Sequence, residues 1–77
     1  MALKEEVISA IAKTLDVGEN ELVADKTLYD SIGVDSTEMV ELTVALGKQF
    51  EVKIETNEIG KNSTPADIVA VIEQKKS

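Results

Sequence analysis

Three segments with apolar residues at helical spacing constrain the fold of this chain more than any other feature. The first segment begins near Leu3 and ends near Leu15, the second runs from about Ser36 to Phe50, and the third follows Thr64. Each places apolar residues three or four positions apart with charged residues between them, which is the pattern of an amphipathic helix. The sequence therefore predicts an all-α fold.

The connecting segments add one short helix and one long loop to this prediction. The stretch 51–54 alternates like a strand, but one four-residue strand has no partner elsewhere in the sequence, so we expect an extended loop. The stretch 56–59 suggests a short helical turn that ends at Gly60. Between the first two helices, spaced apolar residues are expected to hold a long loop on the core: Leu22, Val23, Leu28, Tyr29 and Ile32. We predict a small four-helix bundle of three main helices plus one short helix between the second and the last, with a long loop between the first and second helices.

The second and last helices carry further detail. Gly47 lies inside the second helix, where glycine costs about 1 kcal/mol relative to alanine, so a bend, a close helix contact or fraying is expected there. Thr64, Pro65 and Asp67 form a helix start with a cap, a first-position proline and an early acid. The buried side of the second helix is predicted to hold Met39, Val40, Thr43, Leu46, Gly47 and Phe50, widened by Leu42 and Val44. The buried stripe of the last helix is predicted to be Ile68, Val69, Val71 and Ile72.

Composition limits the classes of function. The chain has 77 residues, with 15 Asp and Glu against 8 Lys, and a formal net charge of −7. A charge of this sign repels phosphate backbones, so nucleic acid is not an expected partner. The absence of Cys and His removes disulfides, thiolate metal sites and the commonest general base, so catalysis by the polypeptide itself is not expected. Apolar runs are too short for a membrane span, and we expect a cytoplasmic protein.

The most informative local motif lies at the start of the second helix. Asp35 is placed to cap that helix, and Glu38 is placed three residues later to complete a capping box. Ser36 is then released from capping, and its hydroxyl is expected to face solvent at the first helical position. A phosphodiester attached there would lie beside unpaired N–H groups and the positive end of the helix dipole. The alternative is that this Asp-Ser pair only caps a helix, as such pairs usually do.

The residues around this pair resemble the acyl carrier protein family over nearly the whole chain. The resemblance rests on the stretches 25–28, 32–36 and 40–42, together with Leu46 and Phe50. It implies a single acyl-carrier-type domain over residues 1–77. It also implies that Ser36 receives 4′-phosphopantetheine from coenzyme A, through a phosphopantetheinyl transferase (holo-ACP synthase) whose magnesium Asp35 would help to hold. No metal site of the chain's own is expected.

The resemblance also implies a function and its partners. The chain would carry acyl intermediates as thioesters on the phosphopantetheine arm, between enzymes of fatty acid, polyketide or specialised lipid biosynthesis, without catalysing a reaction. Acyl-transferring and condensing enzymes with basic docking patches would contact a face made of Glu38, Glu41, Thr37 and Met39. We hypothesise that Val7, Leu46, Ile54 and Ile68 line an acyl cleft. A monomer is expected.

The sequence departs from the family pattern at two positions, and other functions are compatible with it. Thr37 stands where the family most often has Leu, and Gly60 weakens the short helix, which makes a specialised pathway plausible. One alternative is a peptidyl or D-alanyl carrier protein, which would share the fold and the modified serine. Another hypothesis is an acidic helical adaptor in which Ser36 is not modified. An EF-hand loop at residues 16–27 is excluded because Glu21 stands where Gly is needed and Thr27 where Glu is needed.

Overall fold

The computed structural model of the chain describes residues 3–55 and 57–76, and it is all-helical across them. The three long helices are those that the periodicity predicts, so the bundle of three main helices plus one short helix is confirmed. In chain order the elements are α1 (Leu3–Leu15), a 3₁₀ turn (Glu19–Glu21), α2 (Leu28–Ile32), α3 (Ser36–Phe50) and α4 (Pro65–Lys76).

The short helix lies in a different place from the one predicted. It is α2, at the end of the first long loop, where the Thr27 hydroxyl oxygen accepts a hydrogen bond from the Asp30 N–H at 3.1 Å. Gly33 ends α2 with φ of 67°, a left-handed conformation that glycine adopts without strain. Between α3 and α4, the described residues form turns and no helix. The helical turn predicted at 56–59 was wrong over residues 57–59, and Thr56 lies outside the described residues.

α1 packs against both α3 and α4, and this contact forms the core. Fully buried side chains come from all three long helices: Val7, Ile11, Leu42, Leu46, Ile68 and Ile72. Leu22 and Leu28 are buried too, and they hold the long loop on the core as predicted. Val23 and Tyr29 do not share this role, because they remain 40% and 54% exposed.

α3 buries a narrower face than the sequence suggested. Its buried residues are Met39, Leu42, Thr43, Leu46 and Phe50. Val40 and Val44 are 50% and 52% exposed, so their predicted burial was wrong. With about 100° of rotation per residue, these two valines point well away from the centre of the buried face. Their side of α3 also presents Thr37 and Glu41 to solvent.

The C-terminal end of α3 makes a close contact at Gly47, but this is not the contact with another helix that the sequence suggested. A Cβ at this position would lie 2.9 Å from the Val52 carbonyl oxygen, and the Val52 N–H donates to the Gly47 carbonyl oxygen at 3.0 Å. The contact is therefore with the loop that follows the helix, not with another helix. The Lys76 ammonium donates to the Phe50 carbonyl oxygen at 3.1 Å, which satisfies one acceptor at this helix end.

Both ends of α4 are tied down. The predicted cap is confirmed: the Thr64 hydroxyl oxygen accepts from the Asp67 N–H at 3.1 Å, and the Asp67 carboxylate accepts from the Thr64 N–H at 3.0 Å. Near the other end, Glu58 Oε1 accepts from the Glu55 N–H at 2.7 Å and pairs with the Lys75 ammonium at 2.9 Å. The Glu55 N–H first, and Lys75 second, hold the pKa of Glu58 below its ordinary value.

Candidate functional site

The start of α3 has the capping geometry that the sequence predicts. Asp35 is extended, and its Oδ1 accepts a hydrogen bond from the Glu38 N–H at 2.8 Å. Glu38 Oε1 in turn accepts from the Asp35 N–H at 3.2 Å, which completes the capping box. Before it, Val34 is buried and the left-handed Gly33 turns the chain sharply between α2 and α3. The turn and the cap together fix the first residue of α3 at the surface.

That first residue is Ser36, and its side chain is exposed. Among the described residues its hydroxyl makes no hydrogen bond, because Asp35 already caps the helix. Ser31, which lies five residues earlier in α2, differs in this respect. Its hydroxyl donates a hydrogen bond to the Thr27 carbonyl oxygen at 2.9 Å. Ser36 thus offers an accessible hydroxyl at the positive end of a fifteen-residue helix.

A pocket of about 190 Å³ opens beside Ser36. From Ser36 to Thr43 it follows α3 for about 10 Å, taking a helical rise of about 1.5 Å per residue. One wall comes from α3 and the other from the loop before α4; the lining residues are Ser36, Met39, Val40, Thr43, Ile59, Gly60 and Lys61.

The loop wall of this pocket is fixed by hydrogen bonds to α2. The Leu28 N–H donates to the Ser63 carbonyl oxygen at 3.0 Å, and the Tyr29 N–H donates to the Lys61 carbonyl oxygen at 2.9 Å. These two N–H groups belong to the first turn of α2, where no intrahelical acceptor exists for them. Ile59 is buried and anchors the other end of the loop. The short helix therefore positions one side of the pocket.

The residues predicted to contact partners fall in two places. Thr37 and Glu41 are exposed on the outer side of α3, and Glu38 is partly exposed in the capping box. Met39 is only 5% exposed and lines the pocket, which corrects its placement on the partner-binding face. The sequence reasoning also missed that Val40 and Val44 project outward with Glu41. A stricter count of 100° per residue along α3 would have separated them from the core positions.

The four residues predicted to line an acyl cleft do not line the pocket beside Ser36. Val7, Leu46 and Ile68 are fully buried in the core formed by the three long helices, and Ile54 packs against this core while half-buried. None of the four is among the residues that line the pocket beside Ser36. An acyl cleft at these positions stays a prediction.

Neither a metal-binding cluster nor a membrane-spanning helix is found in the part of the chain that the structure describes. In residues 3–55 and 57–76, no three or more Asp and Glu side chains are grouped so that they could hold a metal ion. No helix in the same ranges has both the length and the apolar character required to cross a bilayer.

Comparison with known proteins identifies the family. A family model described as "Phosphopantetheine attachment site" matches residues 5–72. The acyl carrier protein of Thermotoga maritima is 35% identical, with 97% of this chain and 98% of the relative covered. The acyl carrier protein of Petrotoga mobilis is 37% identical over 95% of this chain and 86% of its own, and that of Wolinella succinogenes is 30% identical over 99% and 100%. This chain belongs to the acyl carrier protein family.

Membership brings a covalently attached cofactor, 4′-phosphopantetheine, to this carrier. Acyl carrier proteins are generally non-catalytic, and the family interacts with phosphopantetheinyl transferases and biosynthetic enzymes. The residues at the start of α3 fit such a group, because Ser36 presents a hydroxyl that is exposed and not engaged in capping. A pocket with one cationic side chain, Lys61, adjoins that hydroxyl.

Proposed function

We propose that Ser36 is the residue that receives 4′-phosphopantetheine, and that the chain then carries acyl groups between biosynthetic enzymes. The observation that carries the proposal is that Asp35, and not Ser36, caps the start of α3. Asp35 caps the helix through a 2.8 Å hydrogen bond, which leaves the neighbouring Ser36 hydroxyl exposed. Ser31, in contrast, is half-buried and uses its hydroxyl in a hydrogen bond to the backbone.

The residues around Ser36 each have a role toward the attached group. Asp35 holds the helix start in place and offers an exposed carboxylate beside the hydroxyl, where a transferase brings its magnesium. Glu38 closes the capping box and so fixes Asp35 itself. Unpaired N–H groups in the first turn of α3 favour a phosphate at this position. When attached, the cofactor supplies a thiol at the end of a flexible arm, and acyl groups are held on it as thioesters.

The outer face of α3 is the surface that we assign to partner enzymes. This outer face consists of Thr37, Val40, Glu41 and Val44, all exposed. It combines two half-exposed valines with a carboxylate on a chain of net charge −7. An apolar centre with acidic surroundings suits acyl-transferring and condensing enzymes whose docking patches are basic, and the charge would speed their encounter.

The wider proposal is that residues 1–77 act as a single carrier domain and as a monomer. The acyl groups belong to fatty acid, polyketide or specialised lipid biosynthesis. An apolar residue at position 37 would enlarge the apolar part of the outer face, but this chain has Thr37 there. This difference favours a specialised set of partner enzymes.

The attachment proposal is tested by intact mass. The parent chain, Ser36→Ala and Ser31→Ala are each incubated with coenzyme A and a broad-specificity phosphopantetheinyl transferase. We expect one phosphopantetheine addition in the parent and in Ser31→Ala, and none in Ser36→Ala. No addition to the parent, with a transferase that loads a control carrier in the same assay, would refute the proposal.

A further inference from the structure

Lys61 occupies an unusual position for a cation on this acidic chain. It lies in the wall of the pocket that also contains Ser36, and it carries the only charge among the seven described lining residues. Its ammonium lies 5.3 Å from the centre of the Tyr29 ring. Within the described ranges it forms no ion pair, whereas Lys53 and Lys75 pair with Glu55 and Glu58.

The backbone of Lys61 is held in place from two sides. Its carbonyl oxygen accepts from the Tyr29 N–H at 2.9 Å, which ties it to the first turn of α2. The turn in which it lies is closed by two hydrogen bonds: the Gly60 N–H donates to the Ser63 hydroxyl at 3.0 Å, and the Ser63 N–H donates to the Gly60 carbonyl oxygen at 2.9 Å. The Lys61 side chain is therefore the movable part of a fixed loop that faces α3.

A phosphodiester on Ser36 would lie near two carboxylates as well as near the N–H groups at the start of α3. Asp35 and Glu38 place two carboxylates in the same turn, and the chain already carries a net charge of −7. The N–H groups of the first helical turn offset part of this repulsion, but Asp35 Oδ1 already accepts from one of them, that of Glu38. A nearby cation would reduce the remaining repulsion, and Lys61 is the cation in the adjoining pocket.

We propose that Lys61 binds the phosphodiester of the attached arm and so directs the start of the arm along the pocket between α3 and the loop at residues 59–61. The inference rests on Ser36 as the attachment site. Attachment then moves the Lys61 ammonium away from the Tyr29 ring toward the phosphodiester oxygens. The charge-assisted hydrogen bond replaces a cation–π contact at an exposed ring, which is the weaker of the two kinds of interaction.

The first test uses NMR on the parent chain in its apo and loaded forms, with loading verified by intact mass. The ring current of Tyr29 shifts the Lys61 ε-methylene protons upfield in the apo form. We expect these protons to move downfield on loading, while those of Lys53, which is exposed at the other end of the loop between α3 and α4, stay where they are. Unchanged Lys61 resonances in a chain of verified loading would overturn the inference while leaving Ser36 as the attachment site.

The second test compares the thermal midpoints of apo and loaded forms for the parent, Lys61→Met, Lys61→Arg and Lys53→Met. If Lys61 binds the phosphodiester, the loaded-minus-apo difference in the midpoint is lost or becomes negative in Lys61→Met, and high salt reduces it in the parent. Lys61→Arg and Lys53→Met keep the parental difference. An equal difference in the parent and in Lys61→Met would overturn the inference. Failure of the parent to gain mass would overturn the Ser36 assignment itself, and this inference with it.

Discussion

Asp35→Ala is the substitution that separates the two roles of the residue before Ser36. It removes the 2.8 Å hydrogen bond to the Glu38 N–H, while the backbone N–H of residue 35 still donates to Glu38 Oε1. Loss of a capping side chain costs about 1 kcal/mol, within a range of about 0.5–2. Loss of a negative charge at an exposed helix N-terminus costs about 0.3–1 kcal/mol more. In a domain of this size the thermal midpoint falls by about 4–8 °C for each kcal/mol.

The assay pairs thermal unfolding with the initial rate of phosphopantetheine loading. Asp35→Asn keeps an oxygen acceptor for the Glu38 N–H and loses only the charge, so we expect it to lose about 0.3–1 kcal/mol. Thr64→Ala removes the matching cap of α4, which is remote from Ser36 in the chain, and should cost about 1 kcal/mol. Loading should slow in both Asp35 variants, because both lack the carboxylate, and should keep the parental rate in Thr64→Ala below its unfolding transition.

Two results would refute this reasoning. An unchanged thermal midpoint in Asp35→Ala would show that the capping bond does not stabilise α3. Equal losses of midpoint in Asp35→Ala and Asp35→Asn would assign the whole effect to charge and none to the hydrogen-bond acceptor. Either result would mean that the Asp35 side chain does not stabilise the start of α3 through its hydrogen bond to the Glu38 N–H.

Three further predictions concern the outer face and the two ends of the loop between α3 and α4. Glu41→Lys should slow association with a basic partner enzyme and weaken the salt dependence of the rate, measured by stopped flow. Gly47→Ala should lower stability to urea, because the contact of its Cβ with the Val52 carbonyl costs about 1–3 kcal/mol against a helix-propensity gain of about 1 kcal/mol. Since the pKa of Glu58 is lowered in the folded chain, its stabilising contribution is present above its ordinary value of 4.5 and lost as the pH falls through the lowered pKa. The difference in urea midpoint between the parent and Lys75→Met should therefore be largest near neutral pH and shrink in acid.

Each of these predictions has a matched control. Glu73→Lys reverses an exposed charge on α4, and an association rate slowed equally by it would show that net charge, not the outer face, decides docking. Gly60→Ala places a Cβ where no atom lies within 4 Å, so it should not destabilise, and a gain of stability in Gly47→Ala would contradict the close-contact argument. Lys53→Met removes an exposed pair at 3.8 Å, so the difference in urea midpoint between the parent and this variant should stay near zero at both neutral and acid pH. A Lys75→Met effect that does not vary with pH would contradict the role of Glu58.

The long helices were predictable because their information is local. The start of α3 illustrates this: the Asp35 cap, the acid at Glu38 and the apolar period all lie within one stretch of sequence, and the helix begins at Ser36 as predicted. The start of α4 at Pro65 follows from Thr64 in the same way. Cap residues and periodicity act over a few positions, so one sequence is enough to locate them.

The short helix and the pocket were not predictable because they depend on contacts between distant parts of the chain. A five-residue helix is too short to form on its own, and α2 is stabilised by N–H groups that donate to the carbonyl oxygens of Lys61 and Ser63. Those bonds also place Lys61 in the wall of the pocket that Ser36 lines, twenty-five positions earlier in the sequence. The exposure of Val40 and Val44 is a different case, because a stricter count of 100° per residue along α3 would have predicted it.

The central claim is that the cofactor is attached to Ser36, and the most direct measurement is a fragment-ion mass spectrum of the loaded parent chain. The measurement must distinguish Ser36 from Thr37, because Thr37 is the next residue in the chain, is also exposed and also carries a hydroxyl. The account predicts that every fragment containing Ser36 carries the phosphopantetheine mass, including those that end before Thr37. Fragments that contain Ser36 without the added mass, with the adduct on Thr37 or on any other hydroxyl, would contradict it.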